Sequence, residues 1–80
     1  MSPAMVRAAR AWFGWTQPEF AKMAGIGVAT LKDFERGSRV PMPNNLKAMR
    51  AAIEAAGMTL LFDGETPVGL TLTKDTGAAS

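Results

Sequence analysis

The stretch from residue 16 to residue 37 constrains this 80-residue chain more than any other: Thr-Gln-Pro-Glu-Phe-Ala-Lys-Met-Ala-Gly-Ile-Gly-Val-Ala-Thr-Leu-Lys-Asp-Phe-Glu-Arg-Gly, two short helical phrases joined at Gly25. Thr16 and Glu19 stand at capping-box spacing. The threonine oxygen can accept from the Glu19 N–H while the Glu19 carboxylate accepts from the Thr16 N–H. Pro18 is tolerated in the first turn, where no donor is needed. A helix is therefore expected from Gln17 to Ala24. Gly25 can take the left-handed conformation that ends it, and Ile26 then returns an apolar side chain between the phrases. The second phrase is expected from Val28 to Arg36, stopped by Gly37. So tight a turn leaves no room for an enzyme cleft.

The flanking sequence reads as further helix and then changes period. Ser2-Pro3 is a cap and first-turn signal, Val6, Ala9, Arg10 and Phe13 follow at helical spacing, and Gly14 closes that helix. Trp12 and Trp15 flank the stripe and read as structural, since base stacking would require aromatics exposed on a basic face. Ser38 to Pro43 is a proline-stiffened loop. A fourth helix runs to Ala56 with Leu46, Met49 and Ile53 on one face and Gly57 as its stop. Asn44 or Asn45 can cap it, unless Pro43 takes the first helical position and moves the start upstream. Beyond Gly57, Met58 to Phe62 is β-prone, Asp63 to Pro67 is turn chemistry, and Val68 to Thr73 alternates, which together read as a β-hairpin. The expected organisation is a helical domain over residues 1–57, a hairpin over 58–74 and a small-residue flexible tail over 75–80.

Gln17, Phe20-Ala21, Ala24-Gly25-Ile26, Thr30-Leu31, Phe34-Glu35-x-Gly37 and Pro41 together resemble the Cro and phage-repressor type of helix-turn-helix regulator, the XRE family, over about residues 6 to 57. The pattern is specific because it fixes a cap, a turn glycine, a small residue at Ala21 and an acidic residue at Glu35 in one register. The resemblance implies a mainly α fold, a four- to five-helix Cro/repressor-like domain followed by a C-terminal β-hairpin. It also implies that Trp15 covers the core from its loop. The helix from Val28 would enter the DNA major groove, with Val28, Ala29 and Asp33 facing bases and Lys32 on the flank. Val28 and Ala29 depart from the polar residues often found there and can make only apolar contact with thymine methyls. Asp33 has two readings: it accepts from a cytosine amino group, or it simply repels phosphate and orients Lys32 or Arg36. Thr30 is two-sided, its methyl packing under the preceding helix or its hydroxyl reaching a phosphate, and packing is favoured.

Phosphate contacts need only charge and N–H donors. Gln17, at a helix N-terminus, would turn its amide and backbone N–H towards a phosphate. Lys32, Arg36 and Arg39 would grip the strand beyond, and Asn44 and Asn45 could add to it. The resemblance further implies that Arg10 and Glu35 form a partly buried ion pair tying the reading helix to the first helix. Otherwise Arg10 is a phosphate ligand and Glu35 a solvated charge.

Charge is distributed to match. Residues 1–50 carry eight basic side chains against three acidic, whereas residues 51–80 carry one against four. A basic reading surface and a separate acidic partner surface are expected. No cysteine, histidine or tyrosine occurs. Disulfides, thiolate metal sites and zinc fingers are thereby excluded, no metal or other cofactor is expected, and the commonest general base is missing. The seven carboxylates form no pair at catalytic spacing, so no enzyme is expected. No apolar run approaches the ~20 residues of a membrane span, and the N-terminus lacks the apolar block of a signal peptide. A cytoplasmic protein of bacterial or phage type, without membrane contact, is expected.

The functional expectation is a sequence-specific regulator of transcription, a repressor that binds an inverted repeat in double-stranded DNA as a homodimer. The hairpin would join the subunits through an apolar face of Leu60, Phe62, Leu70 and Leu72 and through its unpaired edge. The alternative is a protein-interaction module, such as an antitoxin or antiactivator, whose acidic hairpin captures a partner protein.

Overall fold

Every helix begins at a local signal, and the element order follows from those signals. The computed structural model describes residues 1–72: α1 (Pro3–Phe13), α2 (Gln17–Ala24), α3 (Val28–Glu35), α4 (Pro43–Ala55), β1 (Met58–Asp63) and β2 (Thr66–Leu72). The fold is mainly helical, four helices followed by an antiparallel hairpin. Ser2 Oγ accepts from the Met5 N–H at 3.2 Å to start α1. The α2 capping box is complete, with Thr16 N–H donating to Glu19 Oε1 at 2.8 Å and Glu19 N–H to Thr16 Oγ1 at 3.1 Å. Gly25 ends α2 at φ 71°, a left-handed conformation that a Cβ would strain, and Ile26 N–H then returns to the Ala21 carbonyl.

One boundary differs from expectation, and one left open takes the proline start. α3 ends at Glu35 and Arg36 is its cap, one residue earlier than the sequence indicated. α4 starts at Pro43 with Met42 as its cap, so neither Asn44 nor Asn45 caps it; both lie inside the first turn. Proline's fixed φ and missing N–H suit the first helical position, and they override the asparagine signal.

The core draws on every element but β2: Met5, Val6 and Ala9 from α1, Phe20 and Ala21 from α2, Leu31 and Phe34 from α3, Met49 and Ile53 from α4, and Met58 and Leu60 from β1. Ala21 is small where α2 meets its neighbours, which lets the helices approach. Trp15 covers this core from the α1–α2 loop, stacked on Phe13 at 4.5 Å and on Phe20 at 5.6 Å between ring centroids. Trp12 does not share that role. It is 64% exposed, contrary to its expected structural place.

The hairpin pairs Met58 with Leu72 and Leu60 with Leu70, then shifts register between Leu61 and Phe62, so that Phe62 pairs with Pro67. A two-stranded hairpin is marginal alone, and this one spends its apolar face on the chain's own helices. Leu60 is 3% exposed, and Phe62 and Leu70 are half-buried against the core. Leu60 is thereby spent on the chain's own core and is not free for the expected dimerisation face, whereas Phe62 and Leu70 keep part of their surface exposed. Leu72, 52% exposed, still faces solvent. The expected end of the second strand at Thr73, Lys74 and the tail over 75–80 lie outside the described residues.

Candidate nucleic-acid interface

Burying Leu31 and Phe34 fixes which side of α3 faces out. Val28, Ala29 and Lys32 are consequently exposed and Asp33 is half-exposed, on the outward side of the helix. Thr30 is half-buried. Gly27 supplies no side-chain cap and the first turn holds no acidic residue, so the start of α3 keeps its backbone donors and their positive end. Asp33 is engaged locally: Arg36 Nη2 donates to its Oδ1 at 2.5 Å. Of its two readings, the geometry supplies the one that orients Arg36. Lys32 and Arg39 have no ion-pair partner among the described residues. Asn44 is exposed and Asn45 half-buried at the start of α4.

Glu35 organises the other end of α3. It is only 5% exposed. Arg10 grips it in bidentate fashion, Nε to Oε2 at 2.7 Å and Nη2 to Oε1 at 2.8 Å, while Arg10 Nη1 donates to the Trp15 carbonyl at 2.9 Å. The hydrogen bond to Glu35 holds the guanidinium pKa above its ordinary value; burial opposes this less strongly, and Coulombic attraction adds to it. The geometry is that of a structural pair rather than of a solvent-facing phosphate ligand.

Two partners of Glu35 were missed in the sequence. Arg7 Nη1 donates to the Glu35 carbonyl, adding a second α1 arginine at the C-terminus of α3. Gln17 Nε2 donates to Glu35 Oε1 at 3.1 Å, so its amide is anchored inward rather than turned wholly towards solvent. Arg7 lies three residues before Arg10, on neighbouring turns of one helix; that spacing was the available signal. Among the described residues no cluster of metal-ligating side chains occurs, and no helix is long and apolar enough to cross a membrane.

An exposed helix presenting cations and free backbone donors, braced from behind by a second helix of the same length across a glycine turn, defines the helix-turn-helix class of DNA-binding regulator. The family model described as Helix-turn-helix, HTH_3, matches residues 6–56, and the chain belongs to this family of XRE-type regulators. No curated protein matches the chain.

Proposed function

We propose that the protein reads an operator in the DNA major groove through α3, binds an inverted repeat as a homodimer, and represses transcription by occluding polymerase. The observation that carries this reading is the outward face of α3, where Val28, Ala29 and Lys32 are exposed, followed by the exposed cations of Arg36 at its cap and Arg39 in the loop beyond. Val28 and Ala29 supply apolar contacts to thymine methyls, and Asp33 directs Arg36 to the backbone. Gln17, Lys32, Arg36, Arg39 and the α4 start at Asn44 and Asn45 supply the phosphate contacts. Selection of bound fragments from random duplex DNA, followed by footprinting beside the protein's own gene, tests it. Val28→Gln is expected to change the selected sequence. Arg39→Ala is expected to weaken all sequences alike and to lower the salt slope by about one. A selected sequence indifferent to Val28 overturns α3 as the reader.

Two reading helices must stand about 34 Å apart, one duplex turn, to use a palindrome. An apolar groove of about 240 Å³ between α1 and β2, lined by Ala8, Trp12, Met58, Leu70, Thr71 and Leu72, supports assembly on that side. The open edge of β2, which carries no charged residue, lies in the same region. The same groove favours capture of another protein as the second reading. Sedimentation of the purified chain separates the two: a dimer weakened by Leu72→Glu supports self-assembly, and a monomer at all concentrations supports the second reading.

A further inference from the structure

Gln17 is the only glutamine in the chain, and its amide has two N–H donors, one of which is already committed to Glu35 Oε1. An ionised carboxylate only accepts hydrogen bonds, so Glu35 can hold the NH2 edge of that amide and never its carbonyl. We propose that Glu35 is a positioning residue for DNA binding, orienting Gln17 so that its second amide N–H and its own backbone N–H grip one phosphate together. This rests on the DNA-binding reading given above. The α2 start offers no rival donor: Pro18 has no N–H, Glu19 N–H serves Thr16 Oγ1, and Phe20 N–H serves the Thr16 carbonyl. The Gln17 N–H has no partner among the described residues.

Arg10 makes the arrangement compatible with a polyanion. A bare carboxylate beneath a phosphate would repel it, but Arg10 covers both Glu35 oxygens, so the amide bridges a neutralised pair and the DNA. The ion pair therefore acts on binding through Gln17 as well as on the packing of α1 against α3.

A double-mutant cycle on duplex affinity tests this, with a random-sequence duplex pool as the probe and titrations repeated across salt concentrations. The pair is replaced by apolar side chains, Arg10→Met with Glu35→Leu, an exchange that commonly leaves a fold intact. That variant is expected to melt near the wild type yet bind about tenfold more weakly with an unchanged salt slope, the worth of one hydrogen bond to a charged group. Gln17→Ala is expected to show the same loss, and the triple variant no further loss. A folded paired variant that binds as the wild type does, or a Gln17→Ala loss that adds in full to it, overturns the assignment while leaving DNA binding intact. The side-chain NH2 signals of Gln17 give a readout that needs no variant. One proton is expected to exchange slowly in the free protein, and the other to become protected only with duplex. Rapid exchange of both in the free protein overturns the proposal, and a wild-type chain that binds no duplex overturns it together with the DNA-binding reading.

Discussion

At the scale of single residues, Glu35 carries a large expected energy. Breaking a buried pair strands a charge, so Arg10→Ala is expected to cost about 3 kcal/mol, read by chemical denaturation, and to weaken duplex binding at the same time. A loss of binding at unchanged stability would make Arg10 a phosphate ligand instead. This pair was legible in the sequence only through the family pattern, since the two residues stand 25 positions apart. The inward bond of Gln17 was not legible, because it depends on side-chain rotamers meeting between elements, and the reach of Arg7 was signalled only by its three-residue spacing from Arg10. Glu19 gives a pH-dependent counterpart. Hydrogen bonds from the Thr16 backbone and hydroxyl hold its carboxyl below the ordinary value. A group depressed on folding adds stability above its unfolded pKa and loses it as pH falls through the folded one. The melting difference between wild type and Glu19→Ala is therefore expected to shrink on acidification through the carboxylate range. A difference that stays constant there would mean the capping box contributes nothing through its charge.

At the scale of elements, the two glycines of the α2–α3 turn are expected to respond differently to a side chain. Gly25 sits at φ 71°, and Gly25→Ala is expected to cost about 1–2 kcal/mol through left-handed strain alone. Gly27 has ordinary dihedrals and only Thr30 Oγ1, at 3.8 Å, near a built Cβ. Gly27→Ser is expected to add a side-chain cap to α3 and raise stability by a few tenths of a kcal/mol. Thermal melts of the two variants check both signs. Such boundaries were legible because caps and turn residues act within four positions of the chain. The α4 start was ambiguous in the sequence because Pro43, Asn44 and Asn45 offer competing starts one residue apart. Only the ring constraint of Pro43 decides between them.

At the scale of the whole molecule, the hairpin is part of the helical core as well as an appendage beyond it. Its alternation was legible in the sequence, but the destination of its apolar face was not, since period two says which residues share a face and not what covers it. Leu60→Ala is expected to cost about 2–4 kcal/mol by denaturation, whereas exposed Leu61→Thr is expected to stay within about 0.5 kcal/mol. A chain cut after Gly57 loses Met58 and Leu60 from the core and is expected to lose helix content by circular dichroism. The two tryptophans stand in opposite surroundings in the same molecule, Trp15 stacked between Phe13 and Phe20 and Trp12 at the lip of the α1–β2 groove. Their emission is accordingly separable. In Trp15→Phe, the remaining fluorescence comes from an indole in water, long in wavelength and open to iodide quenching. Anything that seats in the groove, a second subunit or a different protein, must shift that light to the blue and shield it, so the chain carries its own optical gauge of whether that side is covered.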